Sequence, residues 1–189
     1  RVARYETWFE GEEPWTLTSP EHLAVLRNLE ARFQPIEADG STRVGIGVAT
    51  GCDRLYIVGE SADIESDRLV PLAMRDDIEC GVIRDARRYV INTFCDDGSM
   101  VELRDYPRLA SYLRMHGAEI RARHVSKSNP RAWFRTIDRV YPSLVPQPKL
   151  LIPDIAGSNE VALDEAGFHP HHNLYFVTSS TWNLEVLGA

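Results

Sequence analysis

The 189-residue chain is 43% hydrophobic and 26% charged with a formal net charge of -7, the balance of an ordinary globular protein able to build one sizeable core. Its three cysteines, Cys52, Cys80 and Cys95, are too far apart for a C-x-x-C zinc ribbon or a disulfide framework. No apolar run approaches the ~20 residues that span a bilayer, and no signal-peptide pattern opens the chain, so the expectation is a soluble protein of the reducing cytoplasm.

Residues 1–39 read as a lead-in segment and a helix. The aromatic and acidic opening, with Tyr5, Trp8, Phe9 and Trp15, has no sustained period and is expected to be extended. Ser19, Pro20 and Glu21 then supply an N-cap oxygen, a proline at the first helical position and an acid for the first turn. Val25, Leu26, Leu29 and Phe33 fall on one face of the helix that follows, and Pro35 stops it.

Between Arg43 and Gly59, Val44, Ile46 and Val48 alternate with small residues, Thr50-Gly51-Cys52-Asp53 makes a turn, and Leu55-Tyr56-Ile57-Val58 resumes as an apolar run. This predicts a tightly packed hairpin. A dinucleotide-binding loop would need its glycines between a strand and a helix, whereas Gly45 and Gly47 sit inside a strand. Small residues on one strand face let another backbone come close.

The acidic segment from Ser61 to Glu79 matches no calcium-loop spacing and reads as an apolar anchor, Leu69-Val70-Pro71-Leu72, leading into a polar turn at Arg75-Asp76-Asp77. A strand is expected at Tyr89–Phe94, with a turn at Asp97-Gly98. Tyr106 to Arg123 reads as the clearest helix, with Leu109, Tyr112, Leu113, His116 and Ile120 at helical spacing and His116 as a boundary or core residue. Pro148 to Pro153 reads as a proline-bounded strand, suited to an edge or a strand end. Gly157-Ser158-Asn159 should turn, 161–163 should pair, and Leu174–Val177 should form another strand. The run His169-x-His171-His172 lacks cysteine or carboxylate partners at zinc-like spacing and reads as a polar loop, so no metal site is expected. The last residues, 181–189, read as the capped start of a further helix, and the whole as a piece of a longer protein.

Arg121 to Lys149 departs from the acidic background. Arg121, Arg123, Lys127, Arg131, Arg135, Arg139 and Lys149 face one carboxylate, Asp138, so this stretch carries +6 and the remainder -13. Trp133, Phe134, Tyr141 and four prolines are interleaved, with Trp133 expected in the core. Such asymmetry fits either a surface for a polyanion, nucleic acid or an acidic protein partner, or a solvated face with chance clustering, and no residue pairing signals an activated nucleophile.

Taken in order, these landmarks resemble the target-recognition region of Taq-type adenine-specific DNA methyltransferases, the methylase subunits of type II restriction-modification and related phage-defence systems, some of them fused to an endonuclease. The resemblance rests on Gly45-x-Gly47-x-x-Thr50-Gly51 running into Leu55–Val58, Leu69-x-Pro71-Leu72 with Arg75–Ile78, the Tyr89 strand, Tyr106-Pro107-x-Leu109, Trp133-Phe134 and Pro148–Pro153. It implies an α+β fold with a mixed β-sheet over residues 40–180. It also implies a partner in double-stranded DNA and a separate catalytic domain that uses S-adenosylmethionine to methylate a flipped adenine. That family's Asn-Pro-Pro-Tyr signature is absent, Asn129-Pro130-Arg131-Ala132 lacking its second proline and its aromatic residue, so the residues present are expected to hold neither a catalytic centre nor a cofactor. Lys127, Arg131, Arg135 and Lys149 are the expected phosphate contacts. Thr50, Gly51, Arg54, Arg75 and Asp76 are placed on the DNA-facing surface by the resemblance. The alternative is a protein-interaction module receiving an acidic partner on the same cationic face.

Overall fold

The computed structural model describes residues 4–5, 7, 11–12, 18–84, 86–155, 160–165 and 167–189. Most of the aromatic opening and the expected turn at Gly157-Ser158-Asn159 lie outside the described residues. The chain divides into two compact units, Arg1–Ser41 and Thr42–Ala189. The first contains helix α1 (Pro20–Arg32), started as the sequence predicts: Ser19 accepts a hydrogen bond from the His22 amide, and Pro20 opens the helix. Its Val25, Leu26, Leu29 and Phe33 are exposed, and Leu23 is the residue it buries.

The second unit is α+β, with two four-stranded sheets and a two-stranded ribbon among the described residues. In chain order it runs through β1 (Thr42–Ile46), a one-turn helix α2 (Asp53–Tyr56), β2 (Ile57–Gly59), β3 (Leu69–Ala73), β4 (Ile78–Glu79), β5 (Val82–Ile83) and β6 (Arg88–Ile91). Three helical segments follow, α3 (Pro107–Met115), α4 (Gly117–Ala122) and α5 (His124–Ser128), and then β7 (Lys149–Pro153), β8 (Ala162–Asp164), β9 (His169–Pro170), β10 (Leu174–Ser179) and α6 (Leu184–Gly188). One sheet has the order β1-β10-β7-β8 and is antiparallel throughout. The other, β2-β6-β3-β9, is mixed, because β3 and β9 run parallel.

The expected hairpin at residues 43–59 does not form. β1 pairs with β10, near the far end of the chain, with Val44 opposite Val177, while β2 pairs with β6. The cause is local. The Thr50 hydroxyl donates to Asp53 Oδ1 at 2.5 Å and accepts from the Cys52 amide, and Gly51 takes a φ of +79°, so the chain winds into α2 and enters the second sheet instead of folding back.

Gly47 fixes where the two sheets join. A Cβ there would lie 2.2 Å from the His171 carbonyl oxygen and 2.3 Å from that of Pro170, so only glycine permits the approach. The Val48 amide donates to Pro170, the His172 amide to Val48 and the His171 amide to Ala73 of β3. Residues 169–173 therefore stitch β1 to the second sheet before running into β10. The expected closeness of another backbone at this strand is what the structure contains, with β10 and the 170–171 segment as the neighbours in place of a hairpin partner.

The core forms three clusters. Leu55, Tyr56, Ile91, Leu109, Leu113, Ile120 and Phe134 gather beneath α3 and α4, Leu151, Leu174 and Phe176 line the inner face of the first sheet, and Val48, Leu72, Val90 and Val140 lie at the junction. The expected Tyr106–Arg123 helix is interrupted at His116, which stacks at 4.7 Å on Tyr112. β7 is an inner strand with its prolines at and beyond its ends, so they cost no ladder hydrogen bond. Lys149 shares the inward face of β7 with Leu151 and is fully buried, its ammonium 2.7 Å from Asp164 Oδ2 and 2.8 Å from the Gln147 carbonyl.

Two outcomes follow for stability in urea. Gly47→Ala should cost at least about 2 kcal/mol because its methyl meets fixed backbone, whereas Gly45→Ala, which meets the ring of Phe176, should cost less. Lys149→Met should cost about 3–5 kcal/mol by leaving Asp164 buried and unpaired, and adding Asp164→Leu should recover part of that loss.

Candidate nucleic-acid interface

The basic stretch separates into cations that hold the protein together and cations that face solvent. Arg123 belongs to the first group. Its guanidinium donates from Nε to the Ile120 carbonyl (3.0 Å) and from Nη1 to the Thr50 carbonyl (3.1 Å), while the protons of Nη2 are shared among the carbonyls of Trp133 (3.2 Å) and Arg135 (2.7 Å) and the hydroxyls of Tyr56 (2.9 Å) and Ser126 (3.2 Å). It also stacks over the Tyr56 ring at 4.6 Å. The planar fork of arginine serves this geometry in a way an ammonium could not. Burial pushes the Tyr56 hydroxyl well above the ordinary tyrosine range, and in its neutral form it donates to the Phe134 carbonyl at 2.7 Å.

Arg139 reaches the carbonyls of Cys95 and Asp96 and stacks on Tyr141 at 4.9 Å, and Arg135 donates to the carbonyls of Thr136 and Ile137. Lys149 is a correction to the sequence-based expectation: a fully buried ammonium ion-paired to Asp164 cannot touch a phosphate. Arg135, half-buried and spent on its own backbone, shapes the segment more than it offers charge. Arg121 stands over Trp133 at 3.7 Å, and Trp133 itself packs half-buried against the first core cluster. Lys127 on α5 and Arg131, on the one-turn 3-10 helix Pro130–Ala132 that follows it, are exposed.

Arg123 draws the turn at residues 50–54 against this stretch. Its bond to Thr50 O is joined by two backbone bonds, from Ile137 N to Thr50 O and from Asp138 N to Ala49 O, and Asp138 Oδ2 accepts from the Ala49 amide. Thr50 is fully buried, so it sets the turn and does not reach a ligand, a second correction. Gly51 and Arg54 are exposed, and Arg54 pairs with Glu119. Arg75 and Asp76 are exposed beside the 169–173 segment, with the Arg75 amide bonded to Asn173 Oδ1 and its side chain to the Ile155 carbonyl. The structure thus brings the Gly51–Arg54 turn and the Arg75–Asp76 turn to the two flanks of one segment, residues 169–173.

Sequence reasoning missed a cleft of about 390 Å³ between β1 and residues 138–147, whose rim carries Arg43, Ile46, Asp138, Tyr141 and Gln147. No motif marks it, since its walls come from segments far apart in the chain, β1, residues 138–147, and His169 with Phe176. His169 borders it, and burial drives this histidine down to about 4, so the ring is neutral, with Nδ1 paired to the Pro170 carbonyl and Nε2 to the Tyr141 amide. Among the described residues, no helix is long and apolar enough to cross a membrane.

Comparison with characterised proteins adds an independent line. The chain is 47% identical over 187 residues to Type II methyltransferase M.BstVI of Geobacillus stearothermophilus, covering 98% of this chain and 33% of that protein. It is 46% identical over 180 residues to M.XhoI of Xanthomonas vasicola and 44% identical over 180 residues to M.PaeR7I of Pseudomonas aeruginosa, both Type II methyltransferases. The chain is homologous to one region of these enzymes and spans about a third of the length of each relative. No protein-family model matches it.

Arg123→Lys tests the division of the basic stretch. It keeps the charge but strips donors from the carbonyls of Thr50, Trp133 and Arg135, and chemical denaturation should show a loss of about 3 kcal/mol.

Proposed function

We propose that this chain is the DNA-recognition region of a type II adenine-specific DNA methyltransferase of a restriction-modification or phage-defence system. The observation that carries the reading is the alignment, at 44–47% identity and over nearly its whole length, with about a third of three type II methyltransferases. The missing Asn-Pro-Pro-Tyr signature supports assigning this third to recognition. Methyl transfer from S-adenosylmethionine, and the pocket for the flipped adenine, then belong to a catalytic domain outside these residues. Such an enzyme works on the chromosome in the bacterial cytoplasm.

The surface supports this reading through its chemistry. Lys127, Arg131 and Arg121 are the exposed cations of the basic stretch, and they serve as phosphate contacts that orient the duplex. Gly51, Arg54, Arg75 and Asp76 border the DNA. Arginine can donate bidentately to guanine and a carboxylate can accept from cytosine, so Arg75 and Asp76 carry base-reading chemistry. Arg43 and Gln147 on the cleft rim add the same kind of groups. An overall charge of -7 makes nonspecific attachment weak and gives the few exposed cations a large share of it.

Fluorescence anisotropy with short duplexes tests the proposal. Binding should fall steeply with salt, and Lys127→Glu with Arg131→Glu should weaken it for every sequence alike while reducing the log–log salt slope by about two. Unchanged binding would remove these residues from the interface. Equal capture of an acidic peptide and duplex DNA would favour the protein-interaction alternative.

A further inference from the structure

The His169-x-His171-His172 run acquires in three dimensions the carboxylate it lacks in sequence. Asp53, 118 residues before His171, places Oδ2 at 3.1 Å from His171 Nε2. His172 follows in a turn closed by the bond from Leu174 N to His171 O, which turns adjacent side chains to the same side and leaves the two imidazoles 4.0 Å apart between ring centres. One ligand atom from each of Asp53, His171 and His172 lies within 4.8 Å of the others, an arrangement found in no other group among the described residues.

We propose that Asp53, His171 and His172 form a binding site for one divalent first-row transition-metal ion of the zinc type. Two imidazole nitrogens and one carboxylate oxygen are a borderline-soft donor set that suits zinc, with a fourth position open to water. Ligands at about 2.1 Å from a tetrahedral ion lie about 3.4 Å from one another. The Asp53–His171 pair already meets that spacing, and the exposed His172 has the freedom to swing in. Asp53 is held ready for this role because its other oxygen accepts from the Thr50 hydroxyl.

The neighbouring histidine shows what a purely structural role looks like. His169 is buried with both ring nitrogens matched. His171 is equally buried, at 2% exposure, but its Nε2 faces the Asp53 carboxylate instead of a backbone group, and its Nδ1 has no partner among the described residues. A bound ion would tie the 50–53 turn to residues 171–172 and lock the junction of the two sheets. The site stands independently of the DNA reading.

Titration calorimetry on the chain freed of metal by EDTA and dialysis, with zinc chloride as titrant, tests this. One equivalent should bind, and the thermal midpoint should rise on saturation. Asp53→Asn and His172→Ala should each weaken binding at least about tenfold, while His124→Ala, a control at another exposed histidine, should leave it unchanged. His172 is exposed, so its alanine variant keeps the fold and carries the decision even if Asp53→Asn unsettles its turn. Cobalt(II) should give ligand-field bands without a thiolate charge-transfer band. Absence of saturable zinc binding, full binding by His172→Ala, or a thiolate band pointing to Cys52, Cys80 or Cys95 would each overturn the assignment.

Discussion

The close passage of Gly47 and Val48 against Pro170 and His171 is the constraint on which the second unit depends. One sheet is antiparallel and contains β1 and β10, the other is mixed and contains β3 and β9, and this crossing is where their backbones exchange hydrogen bonds. The carbonyls of Pro170 and His171 lie where a side chain at position 47 would stand, so the approach is set by the absence of a Cβ. Everything placed on the 169–173 segment inherits its position from that contact. The segment in turn orders the Arg75 turn through Asn173 and the 50–53 turn through His171.

Charge is distributed by a second logic. A solvated arginine and a buried one contribute very differently, because a buried cation must recover its lost hydration from fixed acceptors. The half-buried Arg123 recovers it from carbonyls and hydroxyls, and the fully buried Lys149 from Asp164 and two carbonyls. A formal +6 over Arg121 to Lys149 therefore overstates the charge presented to solvent, and the outward-facing part narrows to Arg121, Lys127 and Arg131.

Much of the fold was legible because it is local. The Ser19-Pro20 start of α1, the β6 strand, the Asp97-Gly98 turn and the Leu109, Leu113 and Ile120 stripe follow from capping, propensity and period. The hairpin at residues 43–59 was misread because alternation identifies a strand but not its partner, and β10 lies far along the chain. The burial of Lys149 was readable in principle, since the period-two pattern puts it on the same face as Leu151. Arg123 and the Asp53–His171 pair were not readable, because each is assembled from segments that only the fold brings together.

The Arg123 node has an evolutionary consequence. Four of its six acceptors are main-chain carbonyls, which every residue type supplies. Side chains at positions 133 and 135 can be exchanged without removing an acceptor from the node, so the path of this segment is insulated from its own composition. A surface built on such a frame can exchange its exposed side chains one at a time while the scaffold beneath it keeps the same shape.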